Sequence, residues 1–279
     1  MLRSGERLDE VNESIRLIAK KDGLTFGTDA YLLAAFMRPQ KKGRAVELGT
    51  GTGIISLLCA ARERFGRIDA LEIQEDFAEL AERNVRLNAL EDRICIRHAD
   101  VREISVAELG GECDVVFANP PYMRTDSGKR NLSDYKYIAR HEVCGTVDDF
   151  CGAAERLLKY GGKFYCVWRP DRLEELMAAL RAHALAPKQM LFVHADEVSE
   201  PSMLLVSATK GGAEGLRILP PLLLHDMADR GAPKRALSKR AERIYETMSF
   251  DEKATEAKLK EGDANGTHEA GAQLRTPSC

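Results

Sequence analysis

The sequence lacks the cysteine patterns that bind zinc or form a disulfide framework. Its seven cysteines are odd in number, spread from Cys59 to Cys279, and no two of them form a C-x-x-C pair. Such usage is typical of a reducing compartment. The six histidines show no metal-ligand spacing such as H-E-x-x-H. We therefore expect no metal site and a cytoplasmic location.

Long apolar runs and a net positive charge are also missing. No stretch approaches the roughly 18 apolar residues that predict a transmembrane helix. The first 20 residues carry charges throughout, among them Arg3, Arg7 and Lys20, so a signal peptide is not expected either. The net charge is −3, but binding to nucleic acid depends on local basic patches and not on the total. RNA therefore remains a possible partner.

Strand and helix patterns alternate along the chain, which is typical of a doubly wound α/β sheet. The 279 residues, 44% hydrophobic and 30% charged, are enough for one large domain of this class. Helices are predicted at 76–88, 148–158 and 172–183. Strands are predicted at 68–73, 94–97, 114–118, 162–168, 189–194 and 203–208. No internal repeat is visible. Residues 248–279 are polar and rich in Gly, Ala, Glu and Lys, and we predict that they form a disordered tail.

The most informative segment is Asn119-Pro120-Pro121-Tyr122, which follows the apolar run 114–118. Proline fixes its own φ and pushes the preceding residue out of the helical region, so this loop should be stiff and extended. The Asn119 side-chain oxygen and the Pro120 carbonyl are acceptors suited to an NH2 group, and Tyr122 offers a ring on which a flat base can stack. The alternative is a proline turn that closes a strand, with Tyr122 as packing.

A glycine-rich turn lies upstream, where an apolar strand runs into Gly49, Gly51 and Gly53 and then into an apolar helix pattern. The spacing differs from that of dinucleotide sites and P-loops, and no lysine follows to neutralise a triphosphate. Glu47 before the glycines would repel a pyrophosphate but attract an ammonium group. Glu72, at the end of the next strand, is placed to accept hydrogen bonds from a ribose. These residues fit S-adenosylmethionine better than NAD.

Two further features have a second interpretation each. Asp100, after the third strand, is placed to bind the adenine amino group of the cofactor, or else it caps a helix or turn. Residues 123–141 are rich in basic side chains and directly follow Asn119-Pro120-Pro121-Tyr122, the proposed amine socket. We expect them to contact RNA phosphates, unless they form an ordinary solvated face. The RNA-binding candidates are Arg124, Lys129, Arg130 and Lys136. A second basic run, 230–243, has the same two interpretations.

The glycine-rich turn and the Asn-Pro-Pro-Tyr segment are the two main motifs of this chain. On their basis, residues 8–247 resemble the class I S-adenosylmethionine-dependent methyltransferases that carry an Asn-Pro-Pro-Tyr motif. The closer resemblance is to the tRNA1(Val) (adenine-37-N6)-methyltransferase family, and three segments carry it: Gly27-Thr28-Asp29, Ala139-Arg140-His141-Glu142 and Leu219-Pro220-Pro221-Leu222.

This resemblance implies a seven-stranded, mostly parallel sheet with an antiparallel last strand, in one domain spanning residues 1–247. Residues 1–44 would then be an N-terminal extension covering the cofactor side. It also implies an enzyme that binds S-adenosylmethionine through Glu47, Gly49, Gly51, Gly53, Glu72, Asp100 and Asn119. Its catalytic residues would be Asn119, Pro120 and Tyr122, and its substrate an adenine of tRNA, with a monomer assumed. The roles of Thr28, Asp29 and residues 140–142 stay open.

Several alternatives remain at this stage. The socket also suits the glutamine amide methylated by enzymes that act on peptide release factors, but those carry a separate helical N-terminal domain. Guanine-N2 methylation of ribosomal RNA is a second alternative, although Phe is more usual there at the position of Tyr122. DNA adenine methylation usually requires a target-recognition domain, for which there is little room. A non-catalytic RNA-binding module is the alternative from outside the enzymes.

Overall fold

The computed structural model describes residues 2–21, 27–120, 145–227 and 235–251 of the chain. It begins with an antiparallel hairpin of strands β1 (Glu6–Glu10) and β2 (Arg16–Lys20). This hairpin was not predicted, because β1 is rich in charged residues and has no apolar alternation. Its strands are stabilised instead by contacts to other parts of the chain, such as the ion pair between Glu6 and Arg83, whose atoms lie 2.6 Å apart.

A nine-stranded sheet forms the centre of the molecule. Its seven main strands are β3 (Gln40–Leu48), β4 (Phe65–Glu72), β5 (Ile94–His98), β6 (Cys113–Ala118), β7 (Leu158–Trp168), β8 (Leu185–His194) and β9 (Pro201–Lys210). They lie in the order β8-β9-β7-β6-β3-β4-β5, and β9 is antiparallel to both of its neighbours. The predicted sheet and its antiparallel last strand are therefore confirmed. The two-residue strands β10 (Arg217–Ile218) and β11 (Leu222–Leu223) both pair with β8.

Helices cover both faces of this sheet. They are α1 (Thr28–Phe36), α2 (Ile54–Ala61), α3 (Glu75–Leu87), α4 (Val147–Leu157), α5 (Leu173–Ala182) and α6 (Lys239–Thr247), with a 3-10 turn at Pro170–Arg172. Alternate residues of each strand point to opposite faces, so the sheet separates two cores. One contains Ala45 and Phe117 with the apolar residues of α1 and α2. The other contains Val46 and Val116 with those of α4 and α5.

The register of the strands aligns three loops at one edge of the sheet. Leu48 lies opposite both Leu71 of β4 and Ala118 of β6. The residues that follow these three are Gly49, Glu72 and Asn119. The segments that the sequence singled out therefore start side by side, at the carboxyl ends of parallel strands, where ligands of open α/β sheets bind.

Asn84 of α3 and Asn88, the residue that follows this helix, fasten the hairpin to the rest of the molecule. The Asn84 side chain accepts a hydrogen bond from the Ile18 N–H at 2.7 Å and donates to the Ile18 carbonyl at 3.0 Å. One turn later, Asn88 bonds the N–H and carbonyl of Arg16 in the same way, at 2.9 and 2.8 Å. Asn84 is fully buried and also donates to the Thr52 carbonyl in the glycine-rich turn.

The core continues past the boundary predicted at residue 247. Met248 is buried, its carbonyl accepts a hydrogen bond from Arg64, and Phe250 packs edge-on against Phe36. These contacts are made to distant parts of the chain, so the local polarity of this segment gave no sign of them. The remaining tail residues, 252–279, lie outside the described part of the chain. Within the described ranges, none of the helices has the length and apolarity needed to cross a bilayer.

Candidate active site

Asn119 is the first residue after β6, and its side chain is tied to the start of α1. The Asn119 Nδ2 donates a hydrogen bond of 2.9 Å to Oδ2 of Asp29. The other Asp29 oxygen accepts from the Ala30 N–H at 2.9 Å. Asn119 is half-buried and Pro120 is buried. Asp29 therefore belongs to the site, although its role stayed open in the sequence analysis because the contact joins residues 90 positions apart.

The glycine-rich turn after β3 is held by its neighbours on the sheet. The Thr50 N–H donates to the Leu71 carbonyl, and the Gly51 N–H donates to Glu72 Oε2, both at 2.8 Å. Gly49, Gly51 and Gly53 all have positive φ, a conformation that side chains disfavour. A Cβ added at Gly51 would meet no atom within 4 Å. The turn thus presents open space at Gly51, as a loop that receives a ligand should.

Glu47 lies beneath this turn. It is 1% exposed, and its Oε2 accepts a hydrogen bond from Thr50 Oγ1 at 2.7 Å and another from Ser56 Oγ. Burial raises the pKa of this carboxyl to about 7, and the neighbouring Glu72 charge acts in the same direction, while the two hydroxyls oppose it. Glu47 therefore organises the turn. Its predicted contact with a ligand ammonium stays a prediction.

Glu72 ends β4 and links that strand to the glycine-rich turn. Its Oε2 accepts from Gly51 and its Oε1 accepts from the Gln74 N–H at 2.9 Å. The side chain is mostly buried, and burial raises its pKa despite these bonds. The Ile73 N–H and the Gln74 side chain also donate to this carboxylate, so a ribose hydroxyl would have to share or replace one of its acceptor positions. The predicted bond to ribose hydroxyls stays a prediction.

Asp100 lies next to Glu72 across the sheet, because the Ala99 N–H donates to the Glu72 carbonyl at 2.9 Å. Its carboxylate accepts from the Arg102 backbone at 2.8 Å and from the Arg102 guanidinium. The hydrogen bond from Arg102 lowers the pKa of Asp100. This geometry matches the turn-forming alternative, and the predicted contact with adenine stays a proposal.

A cavity of about 640 Å³ opens beside Asp29. It lies where β7 ends and β9 begins, and its walls include Trp168, Arg169, Glu200 and Met203. Its volume is within the range of roughly 300–1,000 Å³ found for ligand pockets. Because Asp29, which lines the cavity, is the hydrogen-bond partner of Asn119, the cavity lies near that residue. No sequence motif indicates this cavity, since its walls come from separate segments of the chain.

Several predicted residues lie outside the described part of the chain. They are Tyr122, the RNA-binding candidates Arg124, Lys129, Arg130 and Lys136, and residues 140–142. The second basic run is described from residue 235 onward. There, Arg235 pairs with the buried Asp196 at 3.0 Å, and Arg240 donates to the Pro221 carbonyl at 2.8 Å. Both guanidinium groups hold the fold together, which favours the structural interpretation at these two positions.

Metal binding was not expected, and within the described residues no group of three or more His, Cys, Asp or Glu side chains is arranged to hold a metal ion.

Comparison with known proteins identifies relatives of this chain. Residues 20–185 match the model of the methyltransferase small domain. The chain is 34% identical over 181 residues to a Phocaeicola vulgatus protein named tRNA1(Val) (adenine(37)-N6)-methyltransferase, covering 65% of this chain and 75% of that one. A Dyadobacter fermentans protein of the same name is 35% identical over 173 residues, which is 61% of this chain and 70% of that one.

A solved structure shares the fold. It is a predicted O-methyltransferase, protein Atu636 from Agrobacterium tumefaciens, with a TM-score of 0.63 and 23% identity. The match covers 80% of this chain and 97% of that one. The fold, the matched domain and the named relatives agree with the motifs on which the sequence interpretation was based. The chain belongs to the methyltransferase small domain family and to the family of tRNA1(Val) (adenine(37)-N6)-methyltransferases.

Proposed function

We propose that this protein transfers a methyl group from S-adenosylmethionine to N6 of an adenine in tRNA, namely adenine 37 in the anticodon loop of a valine tRNA. The observation that carries the proposal is the alignment of Asn119 with Gly49 and Glu72 at one edge of the sheet. It places an amide acceptor beside a glycine-rich turn and an acidic strand end. The names of the relatives in Phocaeicola vulgatus and Dyadobacter fermentans support the choice of substrate.

The residues at this edge fit the cofactor. The open space at Gly51 leaves room for a ligand against the backbone, and Glu72 would accept hydrogen bonds from the ribose hydroxyls. Gly49 and Gly53 shape the turn, Glu47 would meet the ammonium group, and Asp100 the adenine. When bound, S-adenosylmethionine supplies an electrophilic methyl group on a positively charged sulfur.

Asn119 and Pro120 have the central role in the chemistry. An aromatic amine is a weak nucleophile because its lone pair is delocalised into the ring. The Asn119 Oδ1 and the Pro120 carbonyl would accept hydrogen bonds from its two N–H groups and favour a pyramidal nitrogen. As the nitrogen becomes positively charged, these hydrogen bonds become charge-assisted, which stabilises the transition state more than the ground state.

The cavity beside Asp29 is the pocket we assign to the target base. Its walls include the acidic side chains of Asp171 and Glu200 as well as the indole of Trp168. Arg169 of the same wall pairs with Asp171 at 2.5 Å, which neutralises the charge of that carboxylate. The base must leave its stack to enter, and Tyr122 would offset part of that cost by stacking.

The phosphate backbone is assigned to the basic residues that follow the socket. Arg124, Lys129, Arg130 and Lys136 would neutralise phosphates around the extruded base, so that binding weakens with salt. We also propose that the enzyme acts as a monomer, without a metal, in the cytoplasm. The cysteine usage supports the location, and the absence of a metal-ligand motif in the sequence supports catalysis without a metal.

The test is methylation of valine tRNA transcripts by the purified protein, followed by mass analysis of the nucleosides. A transcript with adenine 37 should yield N6-methyladenosine, and a matched transcript with guanine 37 should yield no methylated product. A release-factor peptide and ribosomal RNA serve as competing substrates. Methylation of the peptide glutamine or of guanine N2, with the tRNA unmodified, would overturn the proposal.

A further inference from the structure

We propose that Asp29 is a positioning residue that fixes the orientation of the Asn119 amide, so that its oxygen faces the substrate amine. This inference rests on the proposed function, because it assigns a partner to the side chain that receives the amine. Asp29 does not touch the substrate nitrogen in this scheme. It acts through Asn119.

The contact allows one orientation of the amide. A carboxylate has only acceptor atoms, so the group that Asn119 turns toward Asp29 must be its NH2. The observed bond, from Nδ2 to Asp29 Oδ2 at 2.9 Å, has this arrangement. The amide oxygen is then directed away from Asp29. Without such a partner, the two ends of an asparagine amide are nearly equal in shape and can exchange places.

Asp29 is itself held at two points. While Oδ2 accepts from Asn119, Oδ1 accepts from the Ala30 N–H at 2.9 Å. The carboxylate therefore cannot rotate without breaking one bond to α1 or the bond to Asn119. A functional group gains precision when its supporting residue is fixed in this way.

The charge of Asp29 adds to its effect on orientation. A hydrogen bond to a carboxylate polarises the amide, which makes the amide oxygen a stronger acceptor. The negative charge also favours the positive charge that develops on the attacked nitrogen. A neutral residue of the same shape would provide neither effect, and asparagine at position 29 could pair with Asn119 in the reverse sense.

Gly27 provides an independent sign of the same requirement. A Cβ built on Gly27 would lie 2.5 Å from Asp29 Oδ1. The φ of Gly27 is −101°, so the backbone does not require glycine there. Glycine is favoured there because the Asp29 carboxylate occupies the space that a Cβ would need. Gly27→Ala therefore offers a way to displace the carboxylate without removing it.

The simpler alternative is that Asp29 stabilises α1, since acidic residues in a first helical turn interact favourably with the helix dipole. The two roles differ in what they affect. A purely structural role would change thermal stability, and it would alter turnover only in proportion to the loss of folded protein. A positioning role changes kcat at unchanged stability and unchanged cofactor affinity.

The experiment compares Asp29→Asn, Asp29→Ala and Gly27→Ala with the wild type on the valine tRNA transcript. As a matched control, Asp148→Asn removes a charge from the first turn of α4, where the carboxylate contacts His183. We expect kcat to fall about 10- to 100-fold in Asp29→Asn and Gly27→Ala, the usual range for supporting residues. KM for tRNA, the cofactor Kd and Tm should stay near wild type, and Asp148→Asn should keep full kcat.

Wild-type kcat in both Asp29→Asn and Gly27→Ala would overturn the inference, as would a loss of kcat that follows Tm across the series. A readout without turnover separates this result from a failure of the proposed function. The side-chain amide resonances of Asn119, measured by NMR with labelled protein, should move in Asp29→Asn and Gly27→Ala but not in Asp148→Asn. If the wild type does not methylate tRNA, these resonances still test whether Asp29 orients Asn119, and unchanged positions would refute it.

Discussion

The glycine-rich turn after β3 and the loop that starts at Asn119 after β6 begin side by side, but they are held by different means. The glycine-rich turn is bonded to adjacent parts of the sheet and to α3, through Leu71, Glu72 and Asn84. Asn119 is bonded to Asp29 in the N-terminal extension. The first loop is therefore organised by the sheet, and the second depends on a segment distant in sequence.

This difference indicates a division of labour in the site. The side proposed for the cofactor is built from strands that form the centre of the fold, so it should be preorganised whenever the protein is folded. The side proposed for the amine can be altered through Asn119 and its partner without disturbing the sheet. Cofactor binding and turnover should then be separable by mutation.

Replacement of Asn119 is the most direct test of this separation and should have the largest effect. In Asn119→Ala, loss of the amide acceptor should lower kcat by about 100- to 1,000-fold, the range found for removing one group that stabilises charge in a transition state. Asn119→Asp should be equally inactive, because its carboxylate faces that of Asp29 and cannot donate to it. Cofactor Kd, measured by calorimetry, should change little in the alanine variant.

A fall in cofactor affinity as large as the fall in kcat would show that the two sides are not separable. It would also mean that Asn119 belongs chiefly to the cofactor side, where it was assigned a second role in the sequence analysis.

Glu47 gives a second test, through pH. Its pKa, about 7 in the folded protein, lies above the value of about 4.3 expected when it is exposed in the unfolded chain. The folded state therefore binds more protons between these values, and the free energy of unfolding should fall as pH rises through this window. A tenfold change in proton affinity corresponds to about 1.4 kcal/mol, so the whole decline should be on the order of 3 kcal/mol. Urea unfolding from pH 4 to 8 measures it.

In Glu47→Gln this decline should be much smaller, whereas Glu82→Gln, which removes an exposed glutamate of α3, should keep it.

Glu47 can also be tested for its predicted contact with the ligand. If the cofactor ammonium meets Glu47, binding should release a proton and tighten as pH rises from about 5 to about 7. A cofactor Kd that is independent of pH in the wild type would leave Glu47 with only its bonds to Thr50 and Ser56.

Much of this architecture was accessible from the sequence because its signals are local. The run 114–118 predicted β6 (Cys113–Ala118), and the glycine spacing predicted a turn between a strand and a helix. Strand ends could be located to within a few residues, and parallel strands bring their carboxyl ends to one edge. The location of Glu72 and Asn119 at this edge of the sheet could therefore be predicted without knowing the register of the strands.

The features that could not be predicted from the sequence depend on contacts between distant segments. The bond from Asn119 to Asp29 and the burial of Met248 both arise when separate elements pack together. A sequence pattern identifies Glu47 as an acid before a glycine-rich turn, but it does not say whether the side chain points to the ligand or under the turn. The strand β1 was missed for a related reason, because the charge of Glu6 is paired with Arg83 on α3.

Asn84 offers the last and smallest test, with a matched control built into the chain. Asn84 and Asn88 bond the hairpin in the same way, but Asn84 is fully buried and Asn88 lies near the surface. Asn84→Ala leaves buried backbone groups of Ile18 and Thr52 without partners, which should cost about 2 kcal/mol of unfolding free energy. In Asn88→Ala, water replaces the lost bonds, and the cost should be about 1 kcal/mol or less.

Because only Asn84 also contacts the glycine-rich turn, only Asn84→Ala should weaken cofactor binding, measured at a temperature where both variants are folded. Equal costs in urea unfolding, together with an unchanged cofactor Kd in Asn84→Ala, would mean that the sheet alone organises the turn.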